Sequence, residues 1–142
     1  MKRILLISSL SLAVAAALPG SAGAQDTLKA AGTVTRTPTY QSLVTSIAAT
    51  ETATTKVMNR SVSATDIRVV NANTVVVSDD AKKMVKTGLD THKDHLTALR
   101  TAIANNPSYT AALAAHKDKP VANDVIAVDI QDAGDVLVYF RK

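Results

Sequence analysis

The first predicted helix follows from apolar residues that recur at intervals of three and four. Thr37 can supply a capping hydroxyl and Pro38 suits the first helical position, so the helix should run from Pro38 to about Ala49. One face of this helix collects the apolar side chains Tyr40, Leu43, Val44, Ile47 and Ala48. The next stretch, residues 50–64, is rich in Thr and Ser, and its Val57 and Met58 fit a second short helix.

Two β-branched runs follow in the middle of the chain. Ile67, Val69 and Val70 predict a strand. The second run, Thr74–Ser78, is separated from the first by three residues of which two are asparagine. This run fits either the second strand of a hairpin or an extended lead into the next helix, and the sequence leaves both open.

A single long helix is predicted from Ser78 to Asn105. Ser78 is a suitable N-cap, and Asp79 and Asp80 place negative charge where the helix dipole favours it. Its apolar face comprises Ala81, Met84, Val85, Leu89, His92, Leu96, Leu99 and Ile103. Asn106 then caps a further helix that begins at Pro107 and should end near Lys117.

The C-terminal segment predicts a β-hairpin. Residues 125–131 alternate, with Ile126, Val128 and Ile130 on one face, and Gly134 suits the left-handed position of the connecting loop. The second face is more apolar than a solvated sheet face, because it carries Val125, Ala127, Leu137 and Tyr139. Either the leader or the Pro38 helix covers this face, or it is a contact site for a partner protein or for self-association. Asp129, which alternates with the apolar residues, is expected to point to solvent or to a partner.

These elements predict an α+β two-layer sandwich. Its sheet should be small and mainly antiparallel, with three or four strands that include the C-terminal β-hairpin. It should pack against one long helix and two or three shorter helices. The order of elements is similar in outline to that of BON domains, which are small periplasmic binding modules. The glycine-containing strand turns typical of those modules are missing here, so the resemblance transfers no residue roles.

The first 24 residues have the features of a cleavable secretory signal peptide. Lys2 and Arg3 precede an apolar run, and Ala22-Gly23-Ala24 offers the small-x-small pattern of a cleavage site. The apolar run from Ile4 to Leu18 has 15 residues, fewer than the roughly 20 that span a bilayer. We therefore expect residues 1–24 to be removed, residues 25–36 to form a flexible leader and residues 37–142 to form one domain. The mature protein is expected in the periplasm or the medium, with no membrane span.

Composition narrows the function further. The chain has no cysteine, which excludes a lipid-modified N-terminus, disulfides and thiolate metal sites. The predicted signal contains two basic residues and no acidic one, so its removal lowers the net charge from +4 to +2. The remaining charges are interspersed, and the chain has only three Tyr and one Phe, so nucleic-acid binding is not expected.

Candidate chemistry is limited to three histidines. His92 and His95 lie one helical turn apart, and His116 could add a third metal ligand. A packed, hydrogen-bonded histidine is the more common role for such residues. There is no Gly-x-Ser-x-Gly motif and no glycine-rich phosphate loop, so we expect no catalytic residue and no cofactor. The sequence therefore predicts a non-enzymatic module that binds a protein or a small ligand, with a histidine-based metal-binding protein as the alternative.

Overall fold

Five α-helices and three strands make up the part of the chain that the computed structural model describes, residues 36–132 and 134–142. The predicted signal peptide and the predicted leader up to residue 35 lie outside the described residues. The helices are α1 (Tyr40–Ala48), α2 (Thr50–Asn59), α3 (Asp79–Thr91), α4 (Lys93–Ala104) and α5 (Pro107–Ala115). The strands are β1 (Ile67–Asn71), β2 (Val125–Ile130) and β3 (Val136–Phe140).

The sheet is mixed, with the strand order β1-β3-β2. β3 pairs in parallel with β1, from Ile67 opposite Val136 to Asn71 opposite Phe140, and it pairs antiparallel with β2. The α+β class is therefore confirmed, whereas a mainly antiparallel sheet was expected and only one of the two strand pairs is antiparallel. Three helices separate β1 from the other strands, and a connection of that length permits parallel pairing.

Helices cover both faces of the sheet, so the predicted two-layer sandwich is wrong. We call the two sides the α4 face and the α1 face. On the α4 face, Val136 and Val138 pack with residues of α2, α4 and α5. On the α1 face, Leu137 and Tyr139 pack with residues of α1 and α3. All five residues of β3 are buried because both sides of this central strand contribute to a core.

The predicted long helix is divided at His92, whose φ of −107° and ψ of 22° interrupt the helical run. Val85 of α3 packs on the α1 face, while Leu96 and Leu99 of α4 pack on the α4 face. A straight helix would leave one of these two apolar groups in water, so burial favours the break. A similar break at Ala49 separates α1 from α2, which also lie on opposite faces.

Local hydrogen bonds determine where the helices begin. The side chains of Ser78 and Asn106 accept hydrogen bonds from Ala81 N and Ser108 N at 3.1 Å, so both predicted caps are confirmed. The first helix begins later than predicted because Thr39, not Thr37, accepts from Ser42 N at 3.0 Å. The run Thr74–Ser78 is not a strand; a 3-10 turn at Ala72–Thr74 follows β1 directly.

A β-bulge in β2 changes the predicted face of two residues. Val125 lies opposite Phe140 and Ala127 lies opposite Tyr139, so β2 has one extra residue between them. Val125 therefore joins Val128 and Ile130 on the α4 face. Ile126 lies with Ala127 on the α1 face, which is the reverse of the strict alternation that the sequence suggested.

Two glycines have definite structural roles. Gly88 lies where α3 approaches α1, and a Cβ atom there would meet Ile47 Cγ2 at 3.1 Å. Gly134 has a φ of +108° in the turn between β2 and β3, a conformation that L side chains rarely adopt, as predicted for this loop. Among the described residues, no helix combines the length and the apolar character needed to cross a membrane.

Candidate functional site

The predicted partner-binding face is covered. Val125, Ala127, Leu137 and Tyr139 each have 0 % of their surface exposed. Leu43 and Ile47 of α1 pack over the last three of these residues, and Val125 lies on the opposite face because of the bulge. Of the two possibilities that the sequence leaves open for this face, coverage by the Pro38 helix is the one that the structure shows for Ala127, Leu137 and Tyr139.

The three histidines are not brought together. The rings of His92 and His95 stack with their centroids 6.1 Å apart at the break between α3 and α4. His116 follows α5, where its Nδ1 accepts a hydrogen bond from Asp118 N at 3.2 Å and its ring meets the edge of Phe140. Over residues 36–132 and 134–142 there is no group of three His, Asp or Glu side chains placed to hold one metal ion. A proposal that uses His116 as the third ligand has no geometric support.

A half-buried polar cluster lies on the α1 face of β2. Asp129, expected to point to solvent or to a partner, instead accepts hydrogen bonds from Arg36 Nη1 at 2.6 Å and from Ser42 Oγ at 2.9 Å. Gln131 Nε2 donates to the other carboxylate oxygen at 2.8 Å, and the hydroxyls of Ser42 and Tyr139 are 2.9 Å apart. This polar cluster therefore joins the residue that precedes α1 to both C-terminal strands.

The environment of the polar cluster shifts two pKa values. Burial by itself raises the pKa of Asp129, but the hydrogen bonds from Arg36, Gln131 and Ser42 and the Arg36 charge outweigh it, so the net pKa is lowered. Burial raises the pKa of Tyr139, and the hydrogen bond with Ser42 opposes that shift. At neutral pH the cluster thus contains an ionised carboxylate, a neutral phenol and a guanidinium. Arg36 Nη1 and Nη2 both donate within it, whereas the buried Arg36 Nε has no hydrogen-bond partner among the described residues.

Arg36 and Ser42 could not have been assigned to this cluster from the sequence. Arg36 belonged to the predicted flexible leader, and it is 93 residues from Asp129. One signal was present: Asp129 lies on the same face as Ala127, in a strand that is otherwise apolar. A lone carboxylate at such a position needs a buried partner if helices cover that face.

A concave surface lies between the ends of α2 and α4. We call it the α2–α4 groove; its volume is about 790 Å³. Its apolar part comprises Val57, Val62, Ala98, Ala102 and Pro107. Its polar part comprises Thr54, Asn59, Arg60, Ser61, Thr101, Asn105, Asn106 and Ser108, and Met58, 65 % exposed, completes the lining.

Two side chains hold the groove in shape. Asn106 Nδ2 donates to Val57 O at 3.1 Å, which ties the start of α5 to α2. Arg60 donates to Gln131 O at 2.9 Å and to Asp132 O at 2.7 Å, which ties the end of α2 to the turn after β2. The walls of the groove are therefore fixed by contacts with neighbouring elements before any ligand enters, which reduces the entropic cost of binding.

The chemistry of the groove is suited to binding. Arg60 is the only charged side chain among the described residues that line it, and its donors already bind backbone carbonyls. The remaining polar groups are amides and hydroxyls, which orient a ligand by hydrogen bonds. The volume lies within the range of about 300–1,000 Å³ that small-molecule sites occupy.

Comparison of the chain with protein-family models, with curated proteins and with solved structures gave no match. The site is therefore interpreted from its own residues. The α2–α4 groove combines a volume of about 790 Å³ with apolar side chains and a set of amides and hydroxyls that can form hydrogen bonds.

Proposed function

We propose that the protein is an exported, non-catalytic binding module that holds a small ligand in the α2–α4 groove. The observation that carries this proposal is the groove itself, about 790 Å³ with an apolar floor and a rim of amides and hydroxyls. Its lining favours a neutral ligand with an apolar body and one or two hydrogen-bonding groups. Catalysis is not part of the proposal, because the described lining holds no carboxylate, imidazole or thiol to transfer a proton.

Export is supported by the sequence features of residues 1–24. A basic start, a short apolar run and Ala22-Gly23-Ala24 are typical of a signal peptide. Expression of the full chain in a Gram-negative host, followed by N-terminal sequencing of the protein in the periplasmic fraction, tests this part. We expect Gln25 as the first residue; an intact Met1 in the cytoplasm would contradict it.

Binding in the groove can be tested with a neutral apolar fluorophore, N-phenyl-1-naphthylamine. Ala98 is exposed and lines the groove, so Ala98→Trp fills it without disturbing the core. Thr97→Trp is the matched control, because Thr97 is exposed on the same helix and outside the groove. We expect Ala98→Trp to weaken probe binding at least about tenfold, equivalent to about 1.4 kcal/mol, and Thr97→Trp to leave it unchanged.

Two results would contradict the proposal. One is equal probe binding by the wild type and both variants, and the other is no probe binding by the wild type. A panel of hydrolase substrates tests the absence of catalysis: we expect no turnover, and turnover abolished by His92→Ala would show that the protein is an enzyme. Native mass spectrometry of protein purified from the exported fraction should show a bound small mass that the Ala98→Trp variant lacks.

A further inference from the structure

A second, smaller hollow lies on the other side of the sheet, between α3 and the turn that follows β1. We call it the α3 pocket; its volume is about 370 Å³. The apolar part of its lining belongs to the core of the α1 face and includes Val76, Val85 and Ile126. This core is distinct from the one beneath the α2–α4 groove, so the two sites share no residue and are separated by the sheet.

The rim of the α3 pocket has an excess of positive charge. Lys82, Lys86 and Arg141 line it, and Asp90 is the one carboxylate in the lining. Lys86 Nζ lies 2.7 Å from Asp90 Oδ2, and Lys82 Nζ lies 3.6 Å from Asp79, so both lysines have partners on their own helix. The excess positive charge at the rim therefore comes chiefly from Arg141.

Arg141 is held at the rim by its backbone. Its N–H donates to Asp124 O at 2.9 Å, directly after the buried Phe140 at the end of β3. Its guanidinium makes no hydrogen bond or ion pair with any side chain in residues 36–132 or 134–142. The Arg141 side chain is exposed, and its five donors make no hydrogen bond to the part of the protein that the structure describes. A guanidinium in this position beside an apolar hollow suits a carboxylate, which it can bind through two parallel hydrogen bonds.

We infer that the α3 pocket binds a small amphipathic anion, a carboxylate that carries a short aliphatic chain. The chain would lie against the partly exposed Leu89 and against the edges of Val76 and Ile126, which are 7 % and 3 % exposed, and would displace water from the apolar surface that these residues leave open. The carboxylate would lie at the rim beside Arg141, with Lys82 and Lys86 adding to the positive potential. An anionic membrane phospholipid shares with a fatty carboxylate only the combination of a negative charge and an aliphatic chain, because its charged group is a phosphodiester. Octanoate and phospholipid vesicles therefore separate the two sources.

Octanoate is the probe. Its binding is measured by isothermal titration calorimetry and by the amide chemical shifts of the ¹⁵N-labelled full chain. Acetate supplies the charge without the chain, and octan-1-ol supplies the chain without the charge. We expect octanoate to bind more tightly than either and to shift the amides of Asn73, Val76 and Val85. Vesicles of phosphatidylglycerol form a second arm of the experiment. If the protein binds octanoate but does not co-sediment with the vesicles, the ligand is a free carboxylate. If the protein co-sediments with the vesicles and excess octanoate abolishes this, the ligand is a lipid.

The matched variants are Arg141→Gln and Lys83→Gln. Each removes one positive charge, but Lys83 is exposed on α3 outside the pocket. We expect Arg141→Gln to weaken octanoate binding at least about fivefold, as for one partly exposed ion pair, and Lys83→Gln to change it less than about twofold. Ala98→Trp in the α2–α4 groove should leave octanoate binding unchanged, so failure at one site is distinguishable from failure at the other. Equal octanoate affinity in Arg141→Gln and Lys83→Gln, or shifts confined to the α2–α4 groove, would overturn the inference.

Discussion

Replacing Asp129 by Asn tests whether the half-buried polar cluster stabilises the fold by its charge. The variant keeps the size of the side chain but leaves the Arg36 guanidinium without its anionic partner. Breaking a fully buried ion pair costs about 3–5 kcal/mol. The side chains of Arg36 and Asp129 are 27 % and 16 % exposed, so solvent compensates part of that loss, and the Asn oxygen still accepts one hydrogen bond. We expect Asp129→Asn to lower the free energy of unfolding by about 2 kcal/mol at pH 7.

The effect should depend on pH in a defined direction. Burial alone would raise the pKa of Asp129, but hydrogen bonds and the Arg36 charge lower it in the folded protein. The stabilisation from the ionised form is therefore fully present above the unfolded pKa, about 3.9, and is lost as the pH falls through the folded pKa. The difference between the wild type and Asp129→Asn should be largest at neutral pH and should shrink below about pH 4.

Urea unfolding followed by circular dichroism at pH 7 and at pH 3 measures both quantities. Asp132→Asn is the matched control, because the Asp132 side chain is 99 % exposed and 3.6 Å from Lys56 Nζ. We expect the control to change the free energy of unfolding by less than about 0.5 kcal/mol. Equal losses for the two variants at pH 7, or a loss for Asp129→Asn that is the same at both pH values, would refute the reasoning.

Three further variants, at two positions, test local geometry, and thermal unfolding measures all of them. Asn106→Ala removes the cap of α5 and the 3.1 Å hydrogen bond to Val57 O, and should lower the free energy of unfolding by about 1–2 kcal/mol. Asn106→Asp keeps the cap and should lower it less. Equal melting temperatures for Asn106→Ala and Asn106→Asp would show that the cap contributes nothing. In Gly134→Ala the added Cβ has no atom within 4 Å, but the alanine must adopt a φ of +108°. We therefore expect the free energy of unfolding to fall by about 1–3 kcal/mol. An unchanged melting temperature would contradict backbone strain at this position.

Features that depend on a few neighbouring residues were predicted well from the sequence. The caps at Ser78 and Asn106, the positive φ of Gly134 and the strands in the C-terminal segment are all present. Each of these depends on a side chain and a backbone group no more than three positions away, or on a short alternating run. Local chemistry therefore determines them before the tertiary fold is known.

Features set by packing were not predicted. The break at His92 has no proline or glycine to mark it, and it results from Val85 and Leu99 belonging to opposite faces of the sheet. The bulge between Val125 and Ala127 likewise has no sequence signal, because every residue nearby is apolar or small. The two-layer architecture was wrong because no local pattern indicates that β3 is central, although the Pro38 helix was one of the predicted covers of the second face.

The candidate sites were predicted less well than the fold. The sequence offered three histidines and an apolar strand face. The structure keeps His92 and His95 together but places His116 against Phe140, and it covers the strand face. The α2–α4 groove and the α3 pocket are assembled from residues far apart in the chain, such as Arg60 with Asn105 and Lys82 with Arg141. None of these residues belongs to a motif, so only the tertiary fold brings them together.

The central position of β3 has a consequence for the order in which the protein folds. β1 and β2 pair only with β3, which follows both of them in the sequence. During synthesis neither strand has a partner until Val136–Phe140 has been made, and the parallel pair then closes a loop of about seventy residues. The growing chain therefore stays without its sheet until β3 emerges, and a truncation that removes β3 would lose the sheet altogether rather than one edge of it.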